Sequence, residues 1–598
     1  MTRREFGHVL LGGCLSALAL PSSAVANTSS MKKPNVLLVL TDDQGFGDVR
    51  SHGNDKIDTP TMDGFAREGA RFDRFFVSPV CAPTRASILT GRYHLRTGAS
   101  GVTRGRENMR SEELTLAEIL NENGYATGCF GKWHNGAHYP EHPNGQGFDE
   151  FFGFCGGVWN NYFDAELEHN GEVVKTDGYI TDVLTDKAME FIRKNRESPF
   201  FCYVPYNAPH TPCLVPDRYF DKYSERGFDA RTSAIYGMIE NIDDNFRRIL
   251  DILKNLGLED DTVVIFMTDN GPNGKRYNAG MRGSKSSFHE GGVRVPMFIR
   301  WPGHIKAGTV IKENASHIDL LPTIADLCEV TLEETLPLDG INIAPLLMGR
   351  AESWPDRMIF TFPTPRELTP AIPGAVRTQR WRAVKRKGNW ELHDMTIDPE
   401  QKKDVAKGHP IVVTKLSTAY EELMQEMTRN GLEILPIQIG HPGWPVVTLP
   451  GHEAHLKSSN GKGIGYNYGP GYTNHWITNW TETASYPLWD IQVVRSGLYE
   501  VTLMYTCKQE DTGVKLRVEI GDAHLDGHIQ EPYDPDPIPV PFRLKDEATK
   551  YMSKVWKAHR LGQVSLGKGR TQLIVRATHI PGTQAIDLKA VQLRRIHE

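Results

Sequence analysis

Asn35-Val36-Leu37-Leu38-Val39-Leu40-Thr41-Asp42-Asp43-Gln44-Gly45 is a continuous apolar run that stops at two adjacent carboxylates. Such a run, without polar alternation, reads as a β-strand buried on both faces, the kind found inside a parallel sheet. Similar runs recur at Phe200–Val204, Thr262–Met267 and Val295–Ile299. Helical patterns lie between them. Thr115 to Asn123 opens with a Thr-x-x-Glu capping box and closes at Gly124, and others cover about Tyr179–Lys194, Ala230–Leu256 and His317–Cys328. Strands alternating with helices predict an α/β domain with a large, mostly parallel central sheet flanked by helices.

Further along, Met358–Phe362, Trp381–Lys387 and Trp390–Asp394 read as short strands followed by a helix to about Met427, hence a small antiparallel subdomain. Leu435 to Gly451 is rich in Pro and Gly and reads as a linker. Beyond it Leu498–Tyr505, Val514–Ile520 and Thr571–Ala577 alternate apolar and polar residues, which predicts an appended all-β sandwich. The expected division is therefore a targeting segment over 1–26, an α/β domain over 34–350, a subdomain over 351–434, a linker over 435–451 and a sandwich over 452–598.

The targeting segment combines Arg3 and Arg4, a mildly apolar stretch from Val9 to Leu20, and Ala24-Val25-Ala26 as a small-residue cleavage site. Thr2-Arg3-Arg4-Glu5-Phe6 resembles a twin-arginine signal, so an exported protein is expected, periplasmic or secreted. Leu11-Gly12-Gly13-Cys14 offers lipoprotein anchoring as the alternative. No other stretch is apolar enough over ~18 residues to span a membrane. The 598-residue chain carries a formal charge of -6, which gives no support for a nucleic-acid partner. None of its eight cysteines forms a CxxC pair, which argues against zinc ribbons and thioredoxin-like chemistry. Pairing among the six cysteines other than 14 and 81 stays open beside buried free thiols.

Three groups of residues carry chemistry. In Ser78-Pro79-Val80-Cys81-Ala82-Pro83-Thr84-Arg85-Ala86-Ser87-Ile88-Leu89-Thr90-Gly91-Arg92, Pro83 fits the first turn of a helix. Cys81 then sits at the helix N-terminus, where free N–H groups favour an anion, and Arg85 offers a planar fork on the same turns. Asp42, Asp43, Asp269 and Asn270 follow two of the predicted strands and form a hard oxygen set suited to calcium or magnesium. Lys132 and His134 (in Gly131-Lys132-Trp133-His134), His210 (in Asn207-Ala208-Pro209-His210) and Lys285 (in Arg282-Gly283-Ser284-Lys285) bring four cationic or protonatable groups to the same rim.

The Cys81-x-Pro83-x-Arg85 motif followed by Thr90-Gly91 resembles the signature of the formylglycine-dependent type I sulfatases, members of the alkaline phosphatase superfamily. The resemblance runs from about Pro34 to Ala406, in the same motif order, and includes Trp390-Glu391-Leu392-His393-Asp394 with Asp398-Pro399. It implies an alkaline-phosphatase-like fold and oxidation of Cys81 to formylglycine by a dedicated maturation enzyme. It implies one calcium ion on Asp42, Asp43, Asp269, Asn270 and residue 81, with Arg85, Lys132, His134, His210 and Lys285 as catalytic residues. The implied reaction is sulfate ester hydrolysis, with a sulfated carbohydrate as substrate by analogy. Ser284 and Ser286 stand where glycine is common in relatives, and His289 where an aromatic residue is frequent. Two other functions compete: a phosphodiesterase or phosphonate monoester hydrolase of the same superfamily, and a catalytically silent glycan-binding protein. Tyr466, Tyr468, Tyr472, Trp476, Trp480 and Trp489 serve either sugar stacking or core and interface packing.

Overall fold

The computed structural model describes residues 33–332, 335–365, 372–458 and 461–596. The expected signal and Cys14 lie outside the described residues. The opening run forms a strand over Asn35–Thr41, buried along its whole length. Its side chains alternate between two cores: Val36, Leu38 and Leu40 face one, Leu37 and Val39 the other. Each such side chain removed from water is worth about 1.5–3 kcal/mol, so this strand is pinned from both sides.

Phe200–Pro205 and Thr262–Thr268 pair parallel to it on either side, and Ala126–Lys132 and Glu150–Phe154 continue the parallel block. The ten-stranded sheet has the expected parallel centre and becomes mixed at its flanks, where Met297–Arg300 and Glu166–His169 run against the block. On one side Met297–Arg300 runs antiparallel, while Ala70–Phe72 and Thr309–Ile311 beyond it turn back to the direction of the central block; on the other, Glu166–His169 and Glu172–Lys175 form a hairpin. The expected strand over Val295–Ile299 is in fact split. Pro296, which has no N–H to give a ladder, separates Arg294–Val295, paired with Phe75–Phe76, from Met297–Arg300.

A four-stranded antiparallel sheet follows, with Ile359–Thr361, Gly374–Arg377, Trp381–Arg386 and Asn389–Asp394. The Gly374–Arg377 strand was not evident in the sequence. The helix Pro410–Met427 covers this sheet through Leu416, Tyr420 and Met424. Two further six-stranded sheets share a third core and make up the sandwich. The expected linker is a correction. Ile437–Ile439 pairs with Ile491–Val493 and Val446–Pro450 with Ala590–Arg594, so both belong to the sandwich. Their short β-branched runs bury Ile439, Val447 and Leu449, which outweighs the neighbouring Pro and Gly. The seven described cysteines are all free and buried. Among the described residues no helix is long and apolar enough to cross a membrane.

Candidate active site

Register alone gathers most of the site. Leu40 lies beside both Pro205 and Met267, and Thr41 beside Thr268. Asp42, Asp269 and the loop carrying His210 therefore emerge at one rim of the sheet. Cys129 lies beside Tyr203, which brings the end of the next strand, Lys132, to the same rim. Ligands of open α/β sheets bind at this carboxyl edge.

The helix Cys81–Thr90 starts at that rim. Its N-cap, Val80, gives no side-chain cap, and every residue of the helix is buried. The Asn135 amide donates to the Ala82 carbonyl at 3.0 Å and steadies this first turn. The Cys81 sulfur and one oxygen each of Asp42 and Asp269 lie within 4.8 Å of one another, as do atoms of Asp42, Asp43 and His210. Asp42 joins the two groups.

Arg85 is fully buried. It donates to Asp269 at 2.8 and 3.1 Å, to Asp42 at 3.3 Å and to the Lys132 carbonyl at 2.7 Å. The Lys132 ammonium donates to Asp42, and Lys285 pairs with Asp43 at 2.6 Å. Lys132 and Lys285 thus arrive at the rim, each already engaged by a carboxylate. Three residues here hold left-handed backbone: Asp43 (φ 67), His134 (φ 63) and Ser286 (φ 68). Such conformations cost of order 1–3 kcal/mol each and collect at functional sites.

Burial alone would raise the Asp42 carboxyl, but Lys132 and His210 outweigh it and hold it below the ordinary range. Asp43 is likewise held low, chiefly because Lys285 offsets burial. Asp269 goes the other way, pushed up to about 7 by burial and by Asp42. Three carboxylates thus share one buried site with three cations, Arg85, Lys132 and Lys285. Asp42 Oδ1, Asp43 Oδ2 and Asn270 Oδ1 are also buried and accept no hydrogen bond. The Asn270 nitrogen donates to Asp43 at 2.7 Å, so its oxygen is the free end. Unpartnered buried oxygens are expensive, and this hard anionic set fits a divalent cation such as calcium.

The two histidines differ. His134 Nε2 donates to the Val102 carbonyl at 3.0 Å, leaving Nδ1 buried with no partner. Burial and then Lys132 keep its pKa well below the ordinary value, so Nδ1 is available to accept a proton. A side chain on Gly157 would press on this ring. His210 Nδ1 donates to the Thr211 carbonyl at 2.7 Å, while Nε2 lies 3.7 Å from Asp43. Burial and Lys285 lower its pKa to about 4, so Nε2 faces the site as a lone pair. His289 is buried against Gln401 and the subdomain, away from this cluster.

Sequence reasoning missed what the sandwich contributes. Glu547 accepts from the Cys213 amide at 2.8 Å, and the Tyr551 hydroxyl lies 2.6 Å from the Thr211 hydroxyl. Both brace the loop of His210. Thr473 accepts from the Gly157 amide at 3.1 Å, beside His134. No local signal marks contacts between residues more than 300 positions apart. Among the aromatics, Trp480 and Trp489 belong to the sandwich core, Trp476 is buried at the domain boundary, and Tyr468 and Tyr472 are exposed.

The rim thus holds a buried cysteine at a helix mouth with Asp42 and Asp269 within 4.8 Å of it, Asp43 grouped with Asp42, and basic groups around them, a setting suited to an ester of an oxyanion. Family comparison makes the class specific. Residues 34–330 match the sulfatase family, and residues 284–429 match the N-sulphoglucosamine sulphohydrolase C-terminal family. Arylsulfatase J of Mus musculus is 33% identical over 53% of this chain, a match spanning 56% of that protein's length. N-acetylgalactosamine-6-sulfatase of Homo sapiens is 34% identical over 55% of this chain and 68% of its own. The crystal structure of Ps i-CgsB in complex with k-i-k-neocarrahexaose is 33% identical, with a TM-score of 0.62 over 66% of this chain and 93% of that one. The chain belongs to the sulfatase family, the type I sulfatases, and with it to the sulfate ester hydrolases.

Proposed function

We propose that this protein hydrolyses a sulfate ester on a carbohydrate, with residue 81 converted from cysteine to formylglycine by a maturation enzyme. In the same reading Asp42, Asp43, Asp269 and Asn270, together with residue 81, hold one calcium ion. The observation that carries it is the convergence of Cys81, Asp42 and Asp269 within 4.8 Å at the mouth of the helix. A bound divalent ion would supply electrostatic stabilisation of the negatively charged sulfuryl group and acidify the nucleophile.

The chain's own residues do the rest. Hydration of the aldehyde at position 81 gives two hydroxyls on one carbon. Arg85 orients one of them as the nucleophile that attacks sulfur in line with the departing alcohol. Lys132 and Lys285, released from Asp42 and Asp43, spread the charge on the sulfuryl oxygens. His210 protonates the leaving oxygen, for which it must first take up a proton as the anionic ester arrives and offsets the field of Lys285. His134 Nδ1 removes the proton from the second hydroxyl, the aldehyde reforms and sulfate leaves. A plain thiol has no second hydroxyl for that exit.

The names of relatives support the carbohydrate assignment: one is an N-acetylgalactosamine-6-sulfatase and another was crystallised with k-i-k-neocarrahexaose. Export through residues 1–26 completes the proposal. Cys81→Ala should abolish turnover of 4-nitrophenyl sulfate and of sulfated sugars while the far-ultraviolet spectrum stays unchanged, and mass spectrometry of the wild type should show formylglycine. A Cys81→Ala protein with full activity would end the scheme.

A further inference from the structure

Between the α/β domain and the sandwich lies a cleft of about 350 Å³ that the site described above does not use. That volume is within the range of small-ligand sites. Trp159 and Asn160 form one wall, and Asn474, Trp476, Trp556 and Lys589 the other. Trp476 and Trp556 meet edge to face at 5.3 Å, and Trp159 stacks on Phe154 at 5.1 Å. The cleft is also lined by charged groups, Asp164 and Glu166 as well as Lys175, Lys554 and Lys589, and aromatic faces set among polar groups are suited to a ligand that is apolar on its faces and hydroxylated at its edges, as a sugar ring is.

Two polar groups in the cleft lack partners that the protein could have given them. The Lys589 ammonium donates to the Asn474 carbonyl at 2.8 Å. Among the described residues it forms no ion pair, and burial pulls its pKa down to about 8. Its neighbour Lys554 takes the nearby carboxylates, Asp587 at 2.8 Å and Asp534 at 3.2 Å. Lys589 is half-buried, and a partly desolvated cation with spare donors and no counter-charge favours an anion beside it. Asn160, 6% exposed, donates from its nitrogen to the Met552 carbonyl at 3.0 Å. That contact fixes the amide, and its oxygen is left buried with nothing to accept from.

The cleft is joined to the catalytic rim by the segment that forms its first wall. Gly157 packs against the His134 ring, and the Asn474 amide donates to the Val158 carbonyl at 3.0 Å. The Tyr162 hydroxyl donates to the His210 carbonyl at 3.0 Å. Asn160 is three residues from Gly157 and two from Tyr162, at most about 7–11 Å of extended chain from each.

We propose that this cleft is a subsite for a further sugar unit, bearing a sulfate or carboxylate group, of the same glycan chain whose ester is cleaved at residue 81. Lys589 pairs with the anionic group, Asn160 Oδ1 accepts from a ring hydroxyl, and the tryptophans pack against the ring. The inference deepens the sulfatase reading and rests on it for the identity of the chain, but binding can be read without turnover.

The test uses the full-length protein and three probes: a sulfated carrageenan hexasaccharide, its desulfated counterpart, and an unsulfated chondroitin hexasaccharide carrying only carboxylates. Affinity is read by tryptophan fluorescence and calorimetry for the wild type, Lys589→Met, Lys589→Arg and Trp556→Ala. Loss of one charge-assisted hydrogen bond should weaken binding of the preferred anionic probe by about tenfold or more in Lys589→Met. Lys589→Arg should recover part of it, and Trp556→Ala, which leaves the charge in place, should weaken binding comparably. Which anionic probe shows the Lys589 dependence assigns sulfate or carboxylate. In kinetics, the ratio of the hexasaccharide KM to the 4-nitrophenyl sulfate KM should rise by the same factor. Binding of no probe by the wild type, equal binding by wild type and Lys589→Met, or KM values that move together would overturn the subsite. Binding through Lys589 by a protein that hydrolyses no sulfate ester would instead sink the sulfatase reading and leave the subsite standing.

Discussion

The sandwich should be part of the catalytic apparatus, and Glu547→Ala tests this at one hydrogen bond. Glu547 is 2% exposed and its Oε2 accepts from the backbone amide of Cys213, a residue with no exposure at all. Alanine removes the acceptor and leaves that N–H buried, a loss of about 1–3 kcal/mol. With about 1.4 kcal/mol per factor of ten, the loop over 207–215 would open roughly 5- to 150-fold more often. Native-state hydrogen exchange reads that opening directly, as a loss of protection of the same size at these amides. Glu547→Gln keeps a carbonyl oxygen at the position and should retain most of the protection, which separates the hydrogen bond from simple loss of packing. His210 lies three residues before Cys213. A looser loop should therefore lower kcat more on an alkyl sulfate, whose leaving group needs a proton, than on an aryl sulfate. Unchanged exchange over 207–215 in Glu547→Ala, or equal loss in Ala and Gln variants, would refute the bracing role.

Three more outcomes follow from the buried charges. Chelation should remove one divalent ion per chain and abolish turnover, with calcium restoring it; full activity in protein shown by mass spectrometry to be metal-free would contradict the site. Arg85→Met should destabilise the chain to denaturant by about 3–5 kcal/mol, because Asp269 and Asp42 lose the guanidinium that balances them in a fully buried site. A midpoint equal to that of the wild type would show that the pair contributes nothing net. At Glu290, burial alone would raise the carboxyl, but Arg377, Arg294 and Arg382 outweigh it and hold it below 4.5. As pH falls the unfolded chain is protonated first, so this stabilisation is complete above about 4.5 and fades as pH drops through the lowered folded-state value. Glu290→Gln should flatten that part of the acid unfolding curve, and superimposable curves for the two proteins would refute the assignment.

What was legible in the sequence and what was not divide along the length scale of the interactions. Asn35–Thr41 was readable because burial on both faces leaves no polar position between its two ends, so the signal is contained in the consecutive residues Val36–Leu40. The Thr115–Glu118 capping box was readable for the same reason: both partners lie within one turn. The Cys81 motif gave the helix mouth because Pro83 and the following residues set the local backbone. Local patterns do not fix the direction of neighbouring strands. A four-residue strand such as Met297–Arg300 buries all its side chains whichever way it runs, so its antiparallel place in the flank left no mark in the sequence. Ile437–Ile439 and Val446–Pro450 were hidden by nearby Pro and Gly, whose turn signal is as short in range as the strand signal it masked.

At the catalytic rim the same limit takes a chemical form. Residue types announced a cation and carboxylate cluster, yet the protonation states depend on partners that lie far away in the chain. His134 and His210 both look like generic histidines in sequence. One gives its Nε2 proton to the Val102 carbonyl and leaves Nδ1 buried without a partner; the other gives its Nδ1 proton to the Thr211 carbonyl and leaves Nε2 toward Asp43. Those two backbone carbonyls, rather than the imidazoles, decide which ring nitrogen carries the proton. The Thr211 carbonyl is in turn held by a loop that Glu547 and Tyr551 anchor from the far end of the chain. In the proposed mechanism the acid step at His210 is thereby tied to the packing of the sandwich, and any substitution that shifts the helix Lys545–Lys550 should be felt first in protonation of the leaving group.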